Sequence, residues 1–164
     1  MSWQKTVLLE NLRLFYNDVE DFTVTPHGGT AQLFFRETEL VGLVPATRLS
    51  DGTLMYLSLL CILLHPSPPP VICIDEPELG LHPDILPTVG RMLIDASERC
   101  QLIVTTHSPA LIDALSHVPD CVLVAEKEGA ETSITRLDKD ELAPWLDKYR
   151  SPSHGSNDGV VVPC

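Results

Sequence analysis

Val71-Ile72-Cys73-Ile74-Asp75-Glu76-Pro77-Glu78 is the stretch that decides the fold. Four apolar residues run straight into two adjacent carboxylates, and a proline then stops the strand. A short apolar run closed by a breaker reads as a buried parallel strand. An acidic pair at its carboxyl end stands in the crevice where open α/β sheets bind ligands. Side-by-side carboxylates repel unless a cation joins them, and a hydrated magnesium ion is the usual one in such a crevice. Consecutive strand side chains point to opposite faces, so Asp75 and Glu76 can share a ligand only where the strand breaks. Pro77 predicts that break. The stretch therefore reads as the metal and water-activating corner of a nucleotide-hydrolysing site, with Glu78 in a solvated acidic turn beyond it.

Composition sets outer bounds. A chain of 164 residues with 44% hydrophobic content predicts one folded domain with a real core, and 5% aromatics leave that core mostly to Leu, Val and Ile. A net charge of -12 disfavours unaided binding to nucleic acid or anionic membrane, which needs a basic footprint. Met1-Ser2-Trp3-Gln4-Lys5 begins no signal peptide, and the longest apolar stretch, Leu54 to Leu64, is too short to span a bilayer. Cys61, Cys73, Cys100, Cys121 and Cys164 stand singly, four of them in apolar surroundings. That pattern predicts reduced core thiols and a cytoplasmic protein rather than a disulfide framework.

Outward from the acidic strand, the elements fall in order. Toward the N-terminus, Leu54 to Leu64 reads as a buried helix capped by Ser50, and the run from His65 to Pro70 as a stiff extended connection. Before them come an amphipathic helix from Thr6 to Tyr16 and a hairpin of Phe22–Thr25 and Ala31–Arg36, turning at His27-Gly28-Gly29. Thr38 to Ala46 reads as a connector. Toward the C-terminus, a loop from Glu78 to His82 leads to a helix from about Asp84 to Glu98. Gln101–Thr106 is a second buried strand, made parallel to the first by a right-handed crossover. Ser108-Pro109 opens another helix, Ala110 to Ser116. Val118–Ala125 and Ser133–Leu137 read as strands joined across Glu128-Gly129, and Asp140–Tyr149 as a terminal helix. Residues 150–164 read as a disordered tail, since Ser151 to Gly159 is almost wholly Ser, Pro, Gly, Asn and Asp.

Three places carry chemistry. Ser50-Asp51-Gly52 puts backbone N–H groups and a helix N-terminus toward solvent, which makes an anion site or, more simply, an ordinary cap. Asp75 and Glu76 form the acidic strand end. His107 follows Thr105-Thr106 at the next strand's end, where an imidazole can donate to a phosphate oxygen. His82 reads equally as a loop contact and as a residue that opens a helix. No Cys or His pair has zinc-ligand spacing.

Taken together these residues resemble a known family. Leu49-Ser50-Asp51-Gly52-Thr53 resembles the signature motif of ABC-type ATPases, Val71 to Glu76 their Walker B strand, Glu78 to Pro83 their D-loop, and Thr105-Thr106-His107-Ser108-Pro109 their switch-histidine loop. Order and spacing are most similar to the RecF/SMC-like branch and its bacterial AAA-domain (AAA-ATPase-like) group, over Ala46 to Tyr149. The resemblance implies a parallel-sheet, P-loop NTPase-like α/β core with helices on both faces, preceded by the helix and hairpin. It also implies ATP and Mg2+ as cofactors. Asp75 would hold the metal, Glu76 would act as general base and His107 would contact the γ-phosphate. Ser50, Asp51, Gly52 and His82 would contact nucleotide, Ser50 and Gly52 reaching one held mainly by a second subunit. A head-to-tail dimer, or pairing with a complete ATPase, follows, with indirect DNA association in the full assembly and no membrane.

The sequence departs from that family in one large respect. No GxxxxGK[ST] occurs, and Lys5 has no glycine-rich turn before it. Residues 1–149 are therefore expected to be the C-terminal part of an ATPase domain without its phosphate loop, inactive alone. Within the motifs, Asp51 stands where transporters have glycine, and Met55-Tyr56 where relatives often place an arginine. Two other classes compete: a non-catalytic module that associates with a complete ATPase, and, well below it, a magnesium-dependent nuclease or phosphatase using Asp75, Glu76 and Glu78.

Overall fold

The computed structural model describes residues 3–136, 138–149 and 159–163. The chain divides into two units, Met1–His65 and Pro66–Cys164, a boundary that falls at the start of the proline-rich connection.

The first unit opens with α1 (Trp3–Leu12). The expected helix from Thr6 to Tyr16 thus begins earlier, and its last residues leave the helix in tight turns such as Tyr16 N–H to Leu12 O at 2.8 Å. The hairpin forms as β1 (Val19–His27) and β2 (Thr30–Glu37), antiparallel with Phe22 opposite Phe35. Gly28 and Gly29 turn it with φ of 55° and 84°, the left-handed backbone that a tight hairpin requires. The stretch read as a connector contains β3 (Leu43–Pro45), which adds to the far side of β2 with Phe35 opposite Val44. Next comes α2 (Asp51–Leu63), capped as expected by Ser50, whose Oγ accepts the Thr53 N–H at 3.1 Å.

Leu12, Phe35, Tyr56 and Leu60 are fully buried in this unit, each contributing about 1.5–3 kcal/mol by leaving water. The Tyr56 hydroxyl donates to the Asn11 carbonyl at 3.1 Å, and the Phe15 and Tyr56 rings lie 5.2 Å apart. Desolvation, then a hydrogen bond to Glu37, pushes the Tyr16 hydroxyl above its ordinary range.

The second unit is built on a five-stranded sheet. Its first strand is β4 (Val71–Asp75), which pairs in parallel with β5 (Gln101–Thr106), Ile74 beside Val104 and Asp75 beside Thr105. Between them α3 (Leu86–Ser97) buries Val89, Met92, Leu93 and Ala96. After β5 comes α4 (Pro109–Ala114), whose Ala114 packs so closely on Gly90 that a Cβ added at Gly90 would lie 2.5 Å from the Ala114 Cβ. The next strand is β6 (Leu123–Glu128), entered through a 3-10 turn at Pro119–Cys121. The strand expected at Val118 therefore starts five residues later, because Pro119 cannot donate to a ladder. β6 pairs antiparallel with β7 (Glu131–Arg136) around Gly129, Leu137 lying outside the described residues, and α5 (Lys139–Tyr149) follows.

Three expectations need correction. β4 is not buried on both faces: it ends the strand order, and Val71, Cys73 and Asp75 are exposed along one face. The cysteines are accordingly not all core thiols, since Cys61 and Cys73 are exposed while Cys100 is buried. Nor is residues 150–164 wholly a disordered tail. Gly159–Pro163 forms β8, antiparallel to both β5 and β6, so the order is β4-β5-β8-β6-β7. Its three consecutive valines favour the pleated backbone, and residues 150–158 and 164 lie outside the described residues.

Candidate functional site

The carboxyl ends of β4 and β5 assemble the cluster that the sequence pointed to. The strand break is sharper than Pro77 alone would make it. Glu76 itself takes a left-handed backbone, φ 45°, the only positive φ among the described residues other than glycine. A glutamate there costs on the order of 1–3 kcal/mol. Pairing to β5 holds it in place: the Glu76 N–H donates to the Thr105 carbonyl at 3.0 Å and lies 3.2 Å from Thr105 Oγ1. The Thr105 hydroxyl in turn donates to Asp75 Oδ1. Asp75 and Glu76 are thus presented by one threonine, at a turn rather than along a strand.

His107, one residue past β5, brings its Nε2 to 3.6 Å from Glu76 Oε1. Both side chains keep contact with solvent, the imidazole half exposed and the carboxylate one-third exposed. That separation suits a charged or water-bridged pairing, with room for a third group between them.

Glu78 is not the solvated turn residue that the sequence suggested. Its Oε1 accepts the Thr106 hydroxyl at 2.6 Å and the His107 N–H at 2.8 Å. Its Oε2 is buried with no hydrogen-bond partner among the described residues. Thr106 is itself fully buried and accepts the Ser108 N–H at 3.0 Å. Ser108 then caps α4, its Oγ accepting the Leu111 N–H at 3.3 Å. One carboxylate therefore ties the loop after β4 to the turn that carries His107. Two adjacent hydroxyl residues closing an apolar strand, Thr105-Thr106, were the signal in the sequence for this network.

The other expected site residues fall into local roles. His82 opens the helical turn before α3, accepting the Asp84 N–H at Nδ1 over 3.4 Å, which answers the choice between loop contact and helix start. Ser50, Asp51 and Gly52 belong to the first unit, where Ser50 caps α2 and its hydroxyl also lies 2.8 Å from Thr53 Oγ1.

Among the described residues no three His, Cys, Asp or Glu side chains converge as a closed metal site. The donor set is instead an open one, an exposed Asp75 carboxylate with a threonine hydroxyl on one oxygen. It fits Mg2+, which keeps several waters and binds through one or two carboxylates plus phosphate oxygens.

Comparison with known proteins agrees with this architecture. Residues 2–113 match the family described as "AAA domain, putative AbiEii toxin, Type IV TA system". The DNA repair protein RecN of Haemophilus influenzae is 26% identical over 147 residues, covering 87% of this chain and 26% of RecN. The chain thus spans about a quarter of that relative's length. Among solved structures, a chain from "Structural biochemistry of ATP-driven dimerization and DNA stimulated activation of SMC ATPases" aligns over 92% of this chain and 99% of its own, with a TM-score of 0.61 and 12% identity. The Smc head domain from Pyrococcus yayanosii aligns over 90% of this chain and 29% of its own, with a TM-score of 0.65 and 11% identity. The fold is that of a P-loop NTPase-like core fragment, as expected and as in the SMC ATPase heads it resembles, and the chain belongs to this AAA-domain family.

Proposed function

We propose that this chain supplies part of a composite ATP-hydrolysing site in a RecF/SMC-like ATPase. One observation carries the reading: Asp75, Glu76 and His107 converge at the carboxyl ends of adjacent parallel strands, with Glu76 Oε1 3.6 Å from His107 Nε2. Asp75, oriented by Thr105, is the residue to hold Mg2+, which when bound neutralises phosphate charge. Glu76 orients the attacking water and takes its proton at a carboxylate oxygen. His107 donates from Nε2 to the γ-phosphate, its turn fixed by Glu78. Phosphoryl transfer of this kind is chiefly positioning and charge stabilisation, so a strained, tightly hydrogen-bonded turn is well suited to it. Ser50, Asp51 and Gly52 offer the N-terminus of α2 to the γ-phosphate of a nucleotide held by a second subunit, with His82, at the helical turn before α3, as a further nucleotide contact. A solved neighbour named for ATP-driven dimerization supports that pairing. RecN, named as a DNA repair protein, supports work in DNA maintenance in the cytoplasm, with phage defence the other candidate.

The test is steady-state Mg-ATP turnover by the chain alone and mixed with a RecN-type ATPase that has its own phosphate loop. The chain alone should turn over little. In the mixture, Glu76→Gln should lower turnover roughly 100-fold or more while leaving ATP-dependent association intact. Tight binding of Mg-ATP by the monomer would contradict the composite site. A second reading, a non-catalytic module, is favoured by the lack of any GxxxxGK[ST] in the sequence. It prevails if Glu76→Gln leaves the mixture's turnover unchanged.

A further inference from the structure

A threonine hydroxyl has a single proton to give and lone pairs with which to accept. At Thr105 both capacities are used on consecutive residues of the β4 turn. The hydroxyl donates to Asp75 Oδ1, and its oxygen accepts the Glu76 N–H at 3.2 Å. One rotamer serves both contacts, and a β-branched side chain is stiff at that torsion. The parallel ladder supports the arrangement, since Asp75 is in register with Thr105 and the Glu76 N–H also donates to the Thr105 carbonyl at 3.0 Å. Thr106 cannot take over the role, because its own hydroxyl is given to Glu78 Oε1 at 2.6 Å.

The consequence falls on Asp75. Its side chain is exposed, yet its two oxygens are not equivalent, because Oδ1 carries the threonine hydroxyl. A cation that chelates both oxygens of this carboxylate has to compete with that hydroxyl for Oδ1. A cation that uses Oδ2 alone, directly or through water, leaves the hydrogen bond intact. Ca2+ gathers many oxygens and readily takes a carboxylate through both of its own, whereas Mg2+ takes one and keeps most of its waters. Among the described residues no cluster of further carboxylates stands ready to complete a Ca2+ shell.

We infer that Thr105 is a specificity-determining residue of the Asp75 site. By occupying Oδ1 it leaves one carboxylate oxygen for a metal ion and so selects Mg2+ over Ca2+. Thr105 acts through Asp75 and is a positioning residue. The inference rests on the reading of Asp75 as the Mg2+ residue, and its test separates the two.

The probe is Mn2+, a paramagnetic ion that also suits octahedral oxygen sites, added at low concentration to the full chain and followed by NMR. It should broaden the amides of Glu76 and His107, and Asp75→Asn should abolish that broadening. Titrating in Mg2+ or Ca2+ restores the signals, and the two half-effective concentrations give the selectivity. Mg2+ should displace Mn2+ from the wild type at the lower concentration. Thr105→Val keeps the β-branch and the main-chain bond to Glu76, and it should move the ratio toward Ca2+ by about 5-fold. Thr105→Ala, which also lacks the hydroxyl, should shift it the same way, and Thr105→Ser, which keeps the hydroxyl, should stay near the wild type. An unchanged ratio in the valine and alanine variants would overturn the inference and leave the metal role of Asp75 standing. So would a serine variant that shifts as far as they do, or a wild type from which Ca2+ displaces Mn2+ as well as Mg2+ does. No broadening at Glu76 and His107 in the wild type would refute the metal role itself, and the inference with it.

Discussion

Removing the Glu78 carboxylate gives the most direct test of how the candidate site is held. Glu78→Ala takes the acceptor from two donors, the Thr106 hydroxyl at 2.6 Å and the His107 N–H at 2.8 Å. Hydrogen bonds to a charged acceptor contribute roughly 1.5–3 kcal/mol each. Thr106 is fully buried and loses its bond outright, whereas His107 is exposed and water can replace part of its own. The gross loss is then about 3–4 kcal/mol. Against it stands relief from burying Oε2 without a partner, about 1–2 kcal/mol. A net destabilisation of about 2 kcal/mol is expected, roughly a 30-fold change in the folded ratio. Glu78→Gln keeps a carbonyl acceptor in the same place and should cost only about 1 kcal/mol. Urea unfolding followed by circular dichroism measures both, and hydrogen exchange at the His107 amide localises the effect. If Glu78→Ala stays within about 0.5 kcal/mol of the wild type, or if its His107 amide exchanges no faster, the tie between the two loops is not what the geometry implies.

Other perturbations probe separate features. Gly90→Val should destabilise the second unit by about 2 kcal/mol or more, since even a Cβ would meet Ala114 at 2.5 Å; thermal unfolding reads it, and an unchanged midpoint would deny the close approach. Glu76→Gly should raise stability by about 0.5–1 kcal/mol, because glycine takes the left-handed backbone freely. The same change should abolish any turnover that depends on the carboxylate, so a variant that is less stable would argue against strain at Glu76. In the first unit, the hydrogen bond from Lys5, 2.5 Å away, holds the Asp21 carboxyl below its ordinary value of 3.8. Its folded value is the lower one, so the stabilisation is fully present above about pH 4 and fades as pH falls through the folded value. Asp21→Asn should therefore cost at most about 1 kcal/mol at pH 7 and nothing once the carboxyl is protonated. A cost that persists in acid would show that the pair is not electrostatic.

The parts of this molecule legible in the sequence are those in which chemistry interrupts a pattern. Asp75-Glu76 after an apolar run, and Thr105-Thr106-His107 after another, marked two strand ends whose adjacency the structure shows. Ser50 before a long apolar helix announced its own cap. What escaped depends on long-range pairing. Leu43–Pro45 is three residues ending in proline, too short and too interrupted to read as a strand without β2 beside it. Val160 to Val162 follow a Ser- and Gly-rich segment, and only the open place between β5 and β6 makes a strand of them. Glu78 looked solvated because a carboxylate after a proline usually is. Its partners Thr106 and His107 lie 28 and 29 residues away, beyond any local signal. The thiols of Cys61 and Cys73 sit in apolar sequence but on exposed faces, a distinction that composition does not carry.

The contact between Gly90 and Ala114 has a mechanical consequence. With a Cβ at Gly90 excluded, α3 and α4 interlock at one point, and sliding either helix along its axis would drive the Ala114 methyl toward the larger side chains about one turn away on the same face, Leu86 or Leu93. Shear between the two helices is thereby blocked. The helix that follows the Glu76–Glu78 loop and the helix that follows His107 must travel together. A force applied to one loop would then pass to the other through the α3–α4 contact rather than be lost as slippage between the helices.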